Sequence, residues 1–416
     1  MVISYGEVST IGGVLMNELS LFTLALGFTK PWKVVEIKFS KESGRLDLRI
    51  DFTRGTTFPC PSCKEGKCQV HDTKDRTWRH LNFFQYETYL HVRVPRVNCR
   101  ECGIKQVEVP WSRPGSGFTL LFEMLVLQLS REMSIAAVAS LVGVHANRIW
   151  RILEHYVERA RKEVDLSEFH ILGIDEFSVR KGYEFMTAFS DIDASRIVFT
   201  GESRREEAID EFAKDMECRG FDLDGIELIC CDMWDPYLNG IEKHLPQASV
   251  VFDRFHIIKK MNKAIEMVRW AEQKENQELK KTRFIWLKRP ENLTEEQEAK
   301  LAELKKLDLK TARAYQIKLA LSRFWEIESL EKSELYLKKW YFWATHSRLK
   351  PVIEVAKAIK HYWQGVINYT LSRITNGVVE GLNSKIKTAM KRAYGFKKTQ
   401  YLRTIVYLIA GKLCFN

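Results

Sequence analysis

The chain is 416 residues long, 45% hydrophobic and 29% charged, which is ordinary for globular proteins and long enough for several domains around a sizeable core. That composition excludes a mini-scaffold, a collagen-like rod and a wholly disordered chain. Lysine and arginine number 65 against 54 acids, for a net charge of +11, so a polyanionic partner is favoured, with nucleic acid the first candidate.

The first apolar stretch, Ile11 to Phe28, is broken by Asn17, Glu18, Ser20 and Thr23. It lacks a basic leader and a small-residue cleavage site, so it reads as a buried or amphipathic helix and no membrane association is expected. Residues 33–52 alternate Val35, Ile37, Phe39, then Leu46, Leu48, Ile50, Phe52 about a Lys41 to Gly44 turn, the period of a β-hairpin. Tyr86 to Val97 alternates again and runs into Cys99. Residues 1–58 are accordingly assigned to an N-terminal helix and hairpin, and 59–110 to a β-rich four-cysteine module.

Over 117–162 the period becomes helical, with apolar Leu120 to Leu129, a second helix beginning at Ser134, a Gly143 turn, and a third helix from Ala146. Strand-like runs follow at Phe169 to Ile174, Phe185 to Phe189, Arg196 to Thr200, Ile226 to Cys230 and Ser249 to Phe252. Helical patterns at Arg205 to Arg219 and Pro236 to His244 separate the later ones. Three strands, helix, strand, helix, strand is a specific order, assigned to 168–258. Residues 259–372 are helical and charge-rich and hold six of the eleven tryptophans, which reads as an inserted all-α domain. The C-terminal part, 373–416, carries a helix from about Asn376 to Arg392 and a short apolar tail, Tyr401 to Leu413.

Cys60-Pro-Ser-Cys63 and Cys99-Arg-Glu-Cys102 place two thiolate pairs at the spacing of a zinc knuckle. Four sulfurs can close one tetrahedral Zn2+ site that fastens a module too small to rely on its own core. Cys68 and His71 lie close by but at less suitable spacing, and Cys218, Cys230, Cys231 and Cys414 read as core packing. This usage fits a reducing cytoplasm better than disulfides. The 117–162 segment reads as a helix-turn-helix, capped by Ser134 and turned by Gly143, whose last helix offers His145, Asn147, Arg148 and Arg151 to a DNA groove.

The apolar run Ile171 to Ile174 ends in Asp175-Glu176, and Leu228 to Cys231 ends in Asp232, so two adjacent strands could present acids side by side. Glu380, Asn383 and Lys387 share one face of the last predicted helix, which Asn376 can cap. Clustered carboxylates repel unless cations neutralise them, and hard divalent ions bound by oxygen do so. Asp235 competes with Asp232, but it precedes a proline and suits a helix start. Glu176 should point to the opposite side of an extended strand from Asp175.

The runs Gly-Ile-Asp175-Glu176-Phe, Cys-Asp232-Met-Trp-Asp235-Pro-Tyr237, Val-Phe-Asp253-Arg-Phe-His256 and Asn376-Gly-Val-Val-Glu380-Gly-Leu-Asn383-Ser-Lys-Ile-Lys387 resemble those of bacterial insertion-sequence transposases of the ISL-three family. The resemblance covers nearly the whole chain. It implies a multidomain α/β protein whose RNase H-like core, a mixed five-stranded sheet with flanking helices, is interrupted by the helical insertion. It also implies a DDE triad at Asp175, Asp232 and Glu380 with two Mg2+ or Mn2+ ions per active site, beside one structural Zn2+. Asp253 and His256 resemble an accessory motif, with Asn383 and Lys387 as further auxiliary residues. The expected activity is metal-dependent cleavage at the ends of a mobile element and joining of the freed 3′-hydroxyl to target DNA. Expected partners are the double-stranded terminal inverted repeats, target DNA and a second copy of the chain, in the bacterial cytoplasm near the nucleoid. A transposase-derived DNA-binding regulator and a nuclease without strand joining are the alternatives. Among the insertion's aromatics, Trp340 to Trp343 could stack on a base, though core packing is the plainer reading.

Overall fold

The alternating segments at the start of the chain pair into one sheet. In the computed structural model, which describes residues 17–64, 66–179 and 185–415, they belong to the first of two units, Met1–Ile152 and Leu153–Asn416. Helix α1 (Glu18–Ala25) is capped by Asn17, whose Oδ1 accepts from the Ser20 N–H at 2.8 Å. None of its residues is fully buried, although Leu19 and Phe22 rest against the sheet core; residues 11–16 of the expected helix lie outside the described residues. Strands β1 (Trp32–Ser40) and β2 (Arg45–Phe52) form the hairpin, turned at Gly44 with φ +61°. Strands β3 (Gln69–Arg79), β4 (Glu87–Cys99) and β5 (Gly103–Gln106) complete an order β1-β2-β4-β3 with β5 on β4. The hairpin and the cysteine-bearing strands therefore share one sheet. Leu46, Leu48, Ile50, Leu90, Val92 and Val94 form its buried face.

Three helices follow, α2 (Leu120–Glu132), α3 (Ile135–Val142) and α4 (Ala146–Lys162). Thr119 and Ser134 cap α2 and α3 by accepting from the N–H groups of Phe122 and Ala137. Gly143 ends α3 at φ +65°, and a Cβ there would stand 2.7 Å from a Glu87 carboxylate oxygen, so glycine is required by both conformation and space. The three helices are tied to the sheet by backbone bonds between Arg79 and Gly117 and Thr119, and by His80 Nδ1 against Thr119 Oγ1 at 2.9 Å.

In the second unit the strands are β6 (Ile171–Ser178), β7 (Phe185–Asp191), β8 (Arg196–Gly201), β9 (Leu228–Cys231) and β10 (Ser249–Phe252). Helix α5 (Glu206–Cys218) follows β8, and α6 (Asp235–His244) follows β9. The sheet order is β10-β9-β6-β7-β8, with β6, β7 and β8 antiparallel and β9 and β10 parallel to β6. This is the mixed five-stranded RNase H-like arrangement.

The insertion comprises α7 (Arg254–Glu272), α8 (Arg283–Leu287), α9 (Glu295–Lys305), α10 (Lys310–Phe324), α11 (Leu330–Thr345), α12 (Lys350–His361) and α13 (Trp363–Ser372). Its core, including Trp286, Tyr315 and Trp340, is continuous with that of the sheet. Helix α13 returns to β10 so closely that a Cβ on Gly365 would lie 2.4 Å from the Phe252 ring.

Helices α14 (Gly377–Arg392) and α15 (Thr399–Ala410) end the chain, so the expected apolar tail is a helix. Edge strand β8 is covered: Arg161 and Arg219 donate to the Val198 carbonyl, Arg403 donates to the Thr200 carbonyl at 2.7 Å, and the Thr200 N–H donates to Tyr407 Oη. Further pairing there is blocked. Among the described residues no helix is long and apolar enough to cross a membrane.

Candidate active site and zinc centre

Cys60 and Cys63 lie in the turn before β3, while Cys99 ends β4 and Cys102 precedes β5, so the β-turns bring the four thiols together. Their sulfurs all lie within 4.8 Å of one another, with Cys63 and Cys99 Sγ 3.5 Å apart. Tetrahedral Zn–S bonds of about 2.3 Å place sulfurs roughly 3.8 Å apart, so the set fits zinc. Donation from the backbone N–H of Cys63 lowers the Cys60 pKa to about 7 against the opposing effect of burial, which favours the thiolate a metal needs. Cys68 is buried nearby but outside this group, and His71 pairs with Asp72. Of the other thiols Cys230 and Cys231 are buried, whereas Cys218 and Cys414 are exposed; these two are not core residues, because each sits at or beyond a helix end.

On β6, alternation sets the two faces of the sheet. Leu172, Ile174 and Glu176 point to the α5 and α6 side, where Glu176 accepts from Tyr237 Oη at 2.8 Å and pairs with Arg204. Gly173 and Asp175 point to the opposite side, which α14 covers: Val379 packs over Gly173, and Asn383 Nδ2 donates to Asp175 Oδ2 at 2.7 Å. Asp232, just past the tip of β9, lies beside Asp175. Ligand atoms of Asp175, Asp232 and His256 all fall within 4.8 Å of one another.

His256 belongs to the first turn of α7, whose cap Asp253 is buried and accepts from the Phe255 N–H and from His256 Nδ1 at 3.0 Å. Nδ1 is also 2.7 Å from Asp232 Oδ1, an ion-pair distance. The approach lacks hydrogen-bond geometry, which leaves that buried oxygen without a hydrogen-bond partner. Burial opposes protonation of His256, but the two carboxylates override it and raise its pKa to about 10. Burial, reinforced by the Asp232 charge, raises Asp175 to about 6 even though the Glu176 N–H stabilises the carboxylate.

Glu380 does not join this group. It is exposed on the first turns of α14, three residues before Asn383 and hence on the same helical face. Asn376 makes no capping bond; it is buried and donates Nδ2 to the Ile174 carbonyl at 3.4 Å, pinning the start of α14 to β6. Lys387 is exposed farther along, as are Lys385, Lys391, Arg392, Lys397 and Lys398. Asp235 stands apart at the start of α6, accepting from Tyr362 Oη at 2.7 Å and from His361. Asn383 as a direct partner of Asp175 is a contact that sequence spacing could suggest only through the shared helix face.

The partly buried donor set fits a hard cation. Two carboxylates meet there, with Asp232 Oδ1 and Asn383 Oδ1 both buried and lacking hydrogen-bond partners.

Just before α4, His145 Nδ1 accepts from the Asn147 N–H at 3.2 Å at the start of the helix. Asn147, Arg148 and Arg151 are exposed, and the Arg148 guanidinium lies 4.1 Å over the Phe118 ring. In the insertion Trp340 is core, donating Nε1 to the Ile317 carbonyl, while Phe342 is exposed and stacked on His346.

Three family models match this chain. One described as a transposase covers residues 172–406, the helix-turn-helix domain of transposase family ISL3 covers 107–157, and the zinc-finger of transposase IS204/IS1001/IS1096/IS1165 covers 56–102. With the RNase H-like sheet behind a four-cysteine ribbon and a helix-turn-helix, they define the class as a DNA transposase. The chain belongs to the ISL3 family of transposases. It is 25% identical over 387 residues to the transposase for insertion sequence element IS1001 of Bordetella parapertussis, covering 91% of this chain and 95% of that one. It is 26% identical over 444 residues to the transposase for IS1557 of Mycobacterium tuberculosis, covering 95% and 96%. The Drosophila P element transposase strand transfer complex aligns at TM-score 0.39 and 10% identity, over 70% of this chain and 92% of that one.

Proposed function

We propose that Asp175, Asp232 and Glu380 are the DDE triad of this transposase and hold two Mg2+ or Mn2+ ions, and that the cysteine ribbon holds one Zn2+. The observation that carries this reading is the 2.7 Å bond from Asn383 to Asp175, which docks the helix bearing Glu380 against the strand bearing the first acid. Divalent ions held by these oxygens would activate a water or a 3′-hydroxyl and stabilise the leaving oxygen. Asn383 fixes the orientation of the Asp175 carboxylate, and Asp253 holds His256 beside Asp232. Lys387 offers a positive charge to a phosphate on the same face of α14. One site then serves two steps. Water breaks the terminal phosphodiester and frees a 3′-hydroxyl; that hydroxyl then attacks a target phosphodiester, forming one P–O bond as the target's own 3′ oxygen leaves. The helix-turn-helix residues His145, Asn147, Arg148 and Arg151 recognise the terminal repeats. Joining two ends takes two active sites, so the working form is at least a dimer on DNA.

The test is strand transfer in Mg2+ with pre-cleaved terminal DNA and a supercoiled target. Wild type should yield joined product, and Glu380→Gln should bind the ends as wild type does without joining them. Wild-type joining by Glu380→Gln would remove Glu380 from the triad, and nicking without joining by wild type would indicate a nuclease.

A further inference from the structure

Helix α7 begins at the acid pair and carries a stripe that the site does not use. Lys259, Lys260, Lys263, Met267 and Trp270 stand three, four, seven, eleven and fourteen residues beyond His256 and so share one face with it. Past His256 every one of them is exposed. Trp270 is 64% and Met267 53% exposed. The stripe contains no carboxylate. Lys259, Lys260 and Lys263 make no ion pair among the described residues, and Glu266 at its margin is already paired with Arg269 at 2.7 Å and Arg283 at 3.6 Å. Lys274, just beyond the helix, holds Nζ 5.0 Å over the Trp270 ring.

Resting on the active-site assignment above, we infer that this stripe is a track for the DNA strand flanking the scissile phosphate. Lys259, Lys260 and Lys263 neutralise its phosphates, and Trp270 stacks on an unpaired base. Charge identifies the occupant: a row of lysines starting beside the catalytic acids faces the one polyanion that must reach them. The aromatic end identifies its state, because a base can stack on a side chain only when it has left its own pair. The fourteen-residue step from His256 to Trp270 spans about 21 Å at 1.5 Å per residue, or about six nucleotides of a strand that keeps its duplex rise of about 3.4 Å as far as the stacked base. The track thus fixes how far from the cut a base must leave its pair.

The experiment places 2-aminopurine singly at positions three to ten along the flanking strand of terminal DNA, with the full-length protein in Ca2+ so that binding is read without cleavage. Quenching should peak near position six in wild type and vanish in Trp270→Ala. Trp270→Ala should also bind an unpaired flank about 5- to 150-fold more weakly while leaving fully paired DNA unaffected. Trp270→Phe should retain most of the effect, and Lys259→Ala/Lys263→Ala should flatten the salt dependence. Quenching that ignores position, or equal affinity of wild type and Trp270→Ala for the unpaired flank, would overturn the inference. So would a change confined to oligomeric mass, which would make the stripe a contact between copies. Glu380→Gln separates this inference from the triad, since it should keep the quenching pattern whether or not it joins DNA.

Discussion

Adding one methyl group at Gly173 should disable the active site without touching any acid. Gly173 lies two residues before Asp175 on the same face of β6, and a Cβ built there would stand 2.6 Å from Val379 Cγ2, 2.7 Å from Ser190 Oγ and 3.1 Å from Ile192 Cγ1. Carbon atoms pack at about 3.5–4.0 Å, so Gly173→Ala requires roughly 1 Å of movement. Ser190 can yield only by giving up its 3.1 Å bond to the Gly173 carbonyl, and Val379 is fully buried. The displacement therefore falls on α14, immediately before Glu380. Overpacking of this kind costs about 1–3 kcal/mol of stability, and a shift of about 1 Å at reacting groups can cost on the order of 100-fold in rate. Thermal melts and strand-joining rates should show both effects. Gly173→Ala/Val379→Ala, which removes the opposing methyl, should join DNA nearly as well as Val379→Ala alone. Wild-type joining by Gly173→Ala, or a double variant that joins no better than Gly173→Ala, would show that close packing of α14 on β6 does not position the site.

Other consequences can be measured separately. Cys60→Ser or Cys99→Ser should release zinc and weaken binding to terminal DNA while circular dichroism shows the helical second unit intact; stoichiometric zinc in either purified variant would rule out the four-sulfur site. His80 is held neutral, its pKa pushed down to about 4 by burial and the neighbouring Arg79 charge. Because the unfolded chain takes up this proton near pH 6.5, the contribution is full above that value and is lost as pH falls toward 4. Urea unfolding should therefore lose about 2 kcal/mol more in wild type than in His80→Gln between pH 7 and 4.5. Asn147→Ala should relax preference at one base pair by about 1–3 kcal/mol, and Arg151→Ala should weaken all sequences alike, as binding to variant ends would show.

The elements most legible in the sequence were those whose burial matches their period. Strand β10 is bounded as the pattern predicts, at Ser249–Phe252, and β7, β8, α5 and α6 differ by a residue or two. Strand β3 was hidden because its run, QVHDTKDRTWR, is polar and mostly exposed; it is held by backbone pairing to β4, which leaves no hydrophobic period to read. The tail became α15 because Leu402, Val406 and Ile409 recur with helical spacing that a run of apolar residues disguises. At the site, strand ends located the two aspartates, and alternation separated Asp175 from Glu176. The role of Asn376 was beyond local pattern: a residue suited to capping instead reaches across to the Ile174 carbonyl, a contact set by tertiary packing.

The position of Glu380 follows from the charge balance around His256. Asp175 and Asp232 already share that cation, and a third carboxylate brought among them would add repulsion without a counter-charge, so solvent exposure is the lower-energy place for it. On the proposed triad, added divalent ions change that balance and take over the neutralising role. His256→Gln removes the resident positive charge while keeping a side chain of similar reach. Without divalent ions this variant should be less stable than wild type by about 1–3 kcal/mol, for a partly buried carboxylate left unpaired, and should melt at a lower temperature. Mg2+ should then stabilise it more than it stabilises wild type, because the ions relieve repulsion that His256 otherwise offsets. Equal Mg2+-induced shifts in the two proteins would mean that His256 and the metal do not answer to the same pair of carboxylates.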